Sequence, residues 1–282
     1  MTGVLTIISI TSMVLQNSLF NNVCKKELKN NNQMYFFNII AYLLCIVLFG
    51  TLLINSSISV YTILLGIAFG VVTALSNLYR MLAYANGPMN ITLLVTTSSM
   101  IIPTLSGIFF GEHLSFMKLM MVAMLIVFIY VSLDKGNGAR VNKKWLLYCF
   151  FAFIFSGAIG VLQKVHQSSI YKGEVGGFLF LAFICSLLYN RIRIKGKIKE
   201  INFSNKKIVI ALVCGLCTFC MNYLNLKLSG MLPSQLFFPI VNGSSIIICS
   251  IISIIVFKEH PTKKQVVGLV GGIFSLIAIC FA

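Results

Sequence analysis

MYFFNIIAYLLCIVLFGTLL, residues 34–53, carries no charged side chain, and none occurs anywhere between Asn30 and Tyr79. A helix rises about 1.5 Å per residue, so ~20 apolar residues are enough to cross the hydrocarbon core of a bilayer. Outward from this stretch, Met81 to Gly111 and Leu228 to Phe257 are also free of charge. Hydrophobic residues make up 58% of the 282 and charged residues 10%, against about 25% charged in a soluble domain. The solvent of this chain is mostly lipid. In lipid only helices and closed barrels satisfy the backbone, and barrel strands alternate polar and apolar residues. Continuous runs of Ile, Leu, Val and Phe do not alternate, so the expected fold is all-α and membrane-integral.

Cutting the runs at polar and turn residues predicts ten transmembrane helices, near 3–23, 33–53, 59–83, 89–110, 115–133, 147–167, 174–190, 207–228, 234–257 and 264–281. Asn55-Ser56-Ser57 separates the second from the third, and Gly87-Pro88 the third from the fourth. The first segment lacks a basic residue ahead of its apolar stretch and carries Gln16, Asn17, Asn21 and Asn22 where a signal core would end, so it reads as a retained span. Most of the nine cysteines fall inside these helices as small apolar residues. Cys214, Cys217 and Cys220 share one helical side, but no acidic residue or His lies nearby to complete a metal site. No metal or cofactor is expected.

FFGEHLSFMK (109–118) has a counterpart in VFKEHPTKKQ (256–265), with Glu-His pairs 147 positions apart. Val14-Leu15-Gln16 returns as Val161-Leu162-Gln163 at the same offset, and Gly70, Asn77 and Pro88 return as Gly215, Asn222 and Pro233, each 145 on. Ser98 and Ser245 match likewise. A five-helix unit written twice, over 1–140 and 141–282, has an odd number of spans, so the second copy enters from the opposite face. The two Glu-His pairs are then expected at opposite surfaces, as interfacial caps between helices rather than as catalytic groups.

This pattern resembles the EamA-type branch of the drug/metabolite transporter superfamily: ten helices in two repeats, a Gly-Glu at the end of the fourth helix, and a Gly-rich fifth. Gly111-Glu112 fits, as do Gly268, Gly271 and Gly272, while Lys258-Glu259 departs at its first residue and 115–133 has Met and Val where glycines are usual. The resemblance implies secondary transport of small metabolites or drugs.

A formal net charge of +16 raises the question of nucleic acid, but seventeen of the 22 basic residues fall in the loops that follow the first, fifth, seventh and ninth helices. A positive-inside bias accounts for them, and no nucleic-acid partner is expected. That rule puts both termini outside the cytoplasm, whereas the resemblance implies both inside; the two orientations stay open here.

Polar side chains in mid-span are costly and functional by default. The first, third and fourth helices of each repeat supply Gln16, Asn17, Asn77, Tyr79, Thr97 and Ser98, then Gln163, Lys164, Asn222, Tyr223, Asn242 and Ser245, the expected lining of a midplane substrate site. Any single Ser or Thr also serves for helix–helix hydrogen bonding. No carboxylate lies mid-span. Arg80 and Lys227 are expected to snorkel to the headgroups, leaving Lys164 to meet a substrate carboxylate or phosphate. Gly66 and Gly70, Gly107 and Gly111, and Gly268 and Gly272 have the spacing of close helix packing.

The expected function is secondary transport of a small polar, amino-acid-like metabolite across the plasma membrane, export favoured, by rocking one repeat against the other. The alternatives are uptake of a choline-like amine, sugar or nucleoside, and a non-transporting membrane protein. His113, His166 and His260 are scattered, and no His-Glu-x-x-His or phosphate-loop motif occurs, so an enzyme is not expected. Expected partners are the solute, the bilayer and, as an option, a second copy of the chain.

Overall fold

In a computed structural model, residues 2–28, 30–53, 58–112, 115–132, 143–196, 201 and 203–281 are described. The Asn55–Ser57 break, His113, the 140/141 boundary, the loop charges Lys29, Asp134, Lys135, Arg140, Lys197, Lys199 and Glu200, and the Cys280 side chain lie outside them.

The described residues form ten helices: α1 (Thr2–Lys26), α2 (Asn31–Leu53), α3 (Val60–Asn86), α4 (Met89–Phe110), α5 (Phe116–Ser132), α6 (Lys143–Gln167), α7 (Val175–Arg193), α8 (Asn205–Met231), α9 (Ser234–Ile255) and α10 (Lys263–Phe281). Eight of them are long and apolar enough to cross a membrane, and α5, at 17 residues, is shorter. The helix starts follow the chemistry of the chain. Ser59 caps α3 by accepting from the Thr62 backbone N–H. Pro88 and Pro233 immediately precede α4 and α9, where a missing N–H costs nothing.

α4 is not uniform. Ser98–Met100 and Gly107–Phe110 tighten into 3-10 turns. Thr97 and Ser98 donate their hydroxyls to the carbonyls of Leu93 and Leu94, competing with the backbone ladder. Pro103 supplies no N–H to the Ser99 carbonyl one turn back. The ladder loosens between them.

Packing runs chiefly between the two halves of the chain. α3 lies against α6 and α7, α8 lies against α1 and α2, α2 against α7, α4 against α9, and α5 against α10. Several crossings bring backbone onto backbone, those at Gly70 and Gly215 among them. A Cβ on Gly70 would stand 2.2 Å from the Ala182 carbonyl oxygen, and one on Gly215 would stand 2.7 Å from that of Ala41. Both of these joints carry a side-chain donor as well: Ser186 Oγ to the Gly70 carbonyl at 2.7 Å, and Cys45 Sγ to the Gly215 carbonyl at 3.2 Å. Gly66 and Gly268 are similarly close-packed, but Gly111 has open space around it and a φ of 79°. It ends a helix instead of packing one.

Candidate functional site: a polar cavity around Arg80

Thr73, Asn77 and Arg80 follow one another at i, i+4 and i+7, which places them on one face of α3. All three line a cavity of about 100 Å³ between α3, α4, α6, α8 and α9. Thr218, Asn222 and Asn225 repeat that spacing on α8 and line the same cavity. Thr96, Thr97 and Ser99 of the loosened part of α4, Gln163 of α6 and Asn242 of α9 complete its polar wall, with Met13, Pro103 and Phe238 as apolar neighbours.

Arg80 is 8% exposed. The expectation that it snorkels fails, because its guanidinium turns inward. Nη2 donates to Asn77 Oδ1 at 2.6 Å and to Gln16 Oε1 at 3.2 Å, and the Phe20 ring lies 5.1 Å from its central carbon. The two amides are themselves fixed. Asn77 Nδ2 donates to the Tyr42 hydroxyl at 2.7 Å, and Gln16 Nε2 donates to Thr218 Oγ1, which passes its own proton to the Cys214 carbonyl. Each amide therefore presents its oxygen to Arg80.

Of the residues expected at the site, Asn77, Thr97, Gln163, Asn222 and Asn242 line the cavity together. Gln16 stands one layer behind, and Asn17 accepts from the Tyr84 hydroxyl at 3.2 Å. Ser98 and Ser245 turn their hydroxyls back onto the carbonyls of Leu94 and Asn242. Tyr79 points elsewhere, its ring 4.9 Å from Phe151 and 5.9 Å from Phe155. Tyr223 lines a separate opening of about 570 Å³ with Lys227, Gln167 and Lys172. Lys164 does not face the cavity either: its Nζ is 2.9 Å from Glu112 Oε1 and 3.3 Å from the Ser229 carbonyl. Arg80, Thr73 and Thr218 were not anticipated.

Both ends of the cavity-bearing helices are closed by a carboxylate. Glu112, just past α4, accepts from Ser234 N at 3.0 Å and Gln235 N at 3.4 Å, the start of α9. Glu259, just past α9, accepts from Met89 N at 2.8 Å and Asn90 N at 3.3 Å, the start of α4, and from Lys25 Nζ at 2.8 Å and Ser253 Oγ at 2.7 Å. α4 and α9 are thus antiparallel, and the two carboxylates lie at opposite ends of α4. Burial pushes both carboxyls up, but the donors around them outweigh it: Ser234 N and Lys164 hold Glu112, and Lys25, Met89 N and Ser253 hold Glu259, below the ordinary carboxylate value. Anions suit these positions, since a helix N-terminus carries unpaired N–H groups and partial positive charge.

Residues 143–281 match the EamA-like transporter family. The chain is also similar over nearly its whole length to a solved protein crystal structure, with a TM-score of 0.66 and 12% identity across 98% of this chain and 96% of that one. At that identity the likeness speaks for the fold. No curated protein matches the chain.

Proposed function

Since residues 143–281 are an EamA-like transporter domain in a chain with eight candidate membrane spans, we propose that this multi-pass protein is a secondary transporter of a small polar, amino-acid-like metabolite. It works by alternating access around the Arg80 cavity, in the plasma membrane, with export as the favoured direction. The observation that carries the reading is the cavity itself, a cluster of amides and hydroxyls around a buried cation inside an apolar bundle. Polar groups are costly there and need a reason. Its volume, about 100 Å³, is below the ~300–1,000 Å³ of drug-sized ligand sites, which favours a metabolite over a drug. A choline-like amine is disfavoured, because Arg80 would repel it.

The reading includes two inverted five-helix repeats, 1–140 and 141–282. Three features support it: the antiparallel α4 and α9 with exchanged carboxylate caps, the Gly70–Ala182 and Gly215–Ala41 joints, and the matched triads Thr73/Asn77/Arg80 and Thr218/Asn222/Asn225. Members of the second triad each stand 145 positions after their counterparts.

The purified chain, reconstituted in liposomes preloaded with unlabelled amino acids and small polar metabolites, should accumulate the labelled solute by counterflow. Uptake no greater than in protein-free liposomes across the panel would overturn the proposal. Asn77→Ala should cut the counterflow rate about tenfold or more, the scale of one lost hydrogen bond to a charged partner, and Asn222→Ala about fivefold, the scale of a neutral one, while the protein remains monodisperse. Normal rates in both would return these amides to helix packing.

A further inference from the structure

Arg80 is a cation in the interior of a membrane bundle with no carboxylate paired to it among the described residues. The ion pairs found there are Lys25–Glu259, Lys164–Glu112 and Lys206–Glu27. Its two hydrogen bonds go to neutral amide oxygens, both from Nη2, and its Nε has no partner. Taking a charge out of water without a counter-ion costs several kcal/mol. Thr73 Oγ1, on the same face and also in the cavity wall, is buried and unpartnered too. An unpartnered Nε–H and an unpartnered hydroxyl therefore belong to two residues that line one small cavity.

Building on the transporter reading above, we propose that Arg80 is the anchor for a single carboxylate of the transported solute. With both Nη2 hydrogens taken by amides, the free Nε–H is left for one oxygen of a carboxylate, and the Thr73 hydroxyl is left for the other, a charge-assisted bond paired with a neutral one. Gln16 and Asn77 hold the guanidinium at Nη2 and act as positioning residues, while Phe20 covers it. The charge count selects the class of anion. Among the described residues that line the cavity Arg80 is the one cation, and Lys164, next to Gln163, is engaged with Glu112. One carboxylate neutralises one Arg80. A phosphate ester, at about −1.5 to −2 near pH 7, would leave excess negative charge in the bundle. Asn225 occupies the place of Arg80 in the second triad and lines the same cavity, so the solute also meets an amide there, whose oxygen can accept from an amino group.

Equilibrium binding to the purified full chain in detergent tests this without requiring transport. The probes are acetate and lactate, their neutral counterparts acetamide and lactamide, and inorganic phosphate, read by thermal stabilisation, since a ligand that binds the folded form raises the melting temperature. Carboxylates should bind about tenfold or more tightly than the matched amides, and phosphate less tightly than the carboxylates. Arg80→Gln should weaken carboxylate binding at least about tenfold more than amide binding. Gln16→Glu guards against a misfolded Arg80 variant: it gives Arg80 an internal counter-ion, so the protein should stay folded, with an unchanged or higher melting temperature, yet lose its preference for carboxylates. Equal binding of carboxylate and amide, tighter binding of phosphate, no binding by any probe, or an intact preference in folded Gln16→Glu would each overturn the proposal. Carboxylate-selective binding with no counterflow in liposomes would instead leave this site standing and remove the transport reading. Counterflow of neutral solutes without carboxylate selectivity would do the reverse.

Discussion

The ends of α4 and α9 perform one task with different residues. At the first, Gly111 turns the chain with a φ of 79°, and Glu112 reaches the start of α9; at the second, Lys258 turns it with a φ of 53°, and Glu259 reaches the start of α4. Gly adopts the left-handed region freely, whereas a residue with a Cβ is disfavoured there by about 1–2 kcal/mol. What the two ends share is therefore a backbone turn that aims a carboxylate, and the Lys-Glu that departs from the family pattern keeps the geometry at a cost in strain. The carboxylates differ as well. Glu259 gathers donors from two backbone N–H groups, Lys25 and Ser253, while Glu112 has two backbone N–H groups and Lys164.

The sharpest way to break this comparison is to remove each carboxylate in turn. Glu259→Ala should destabilise the protein by about 2–3 kcal/mol and Glu112→Ala by about 1–2 kcal/mol, from the worth of a helix cap and of charge-assisted hydrogen bonds. Thermal unfolding in detergent would show the order, and a larger loss at Glu112 would reverse the ranking drawn from their donors. Acid probes the same pair more gently. Both carboxyls titrate lower in the folded state, so the stability they supply is complete above their ordinary value of about 4.5 and is lost as pH falls through the folded values. The wild-type melting temperature should drop below that pH, and a double Glu→Gln variant should show a flatter profile. The smallest effects belong to the turns: Gly111→Ala should cost about 1 kcal/mol, and Lys258→Gly should gain about 0.5 kcal/mol, the relief of strain less the added backbone freedom of glycine. Equal and opposite shifts are not expected, but opposite signs are.

The helices were legible in the sequence because lipid allows few alternatives, and Pro88 and Pro233 marked two starts; of the ten spans expected, eight meet the length and hydropathy of one among the described residues, α5 and α10 not being among them. The polar lining was legible only by helix, not by face. Neighbours in sequence are about 100° apart around a helix, so Asn77 faces the cavity while Tyr79 stacks on Phe151 and Phe155. Gln163 faces it while Lys164 reaches Glu112. Arg80 was misread from its nearness to the end of α3, although a signal existed: Thr73, Asn77 and Arg80 have the spacing of Thr218, Asn222 and Asn225, which puts Arg80 on the same helical face as Thr73 and Asn77 and away from a simple headgroup role. The Lys164–Glu112 pair could not be read at all, since nothing local joins residues 52 positions apart.

The Gly70 and Gly215 crossings decide which parts can move as solids. Where backbone rests on backbone, with no side chain to yield, two helices can slide along each other but separate only by losing the whole contact, which is shear in place of hinge motion. Gly70 welds α3 to α7 and Gly215 welds α8 to α2, and each weld joins helices from different halves of the chain. Rocking one sequence half against the other would tear both. Two groups of helices keep them, α3 with α6 and α7, and α8 with α1 and α2, and a third joint ties the groups together: a Cβ on Gly176 of α7 would stand 2.8 Å from the Leu52 carbonyl oxygen of α2. The proposed five-helix repeat and the close-packed groups of helices are then different partitions of the same ten helices.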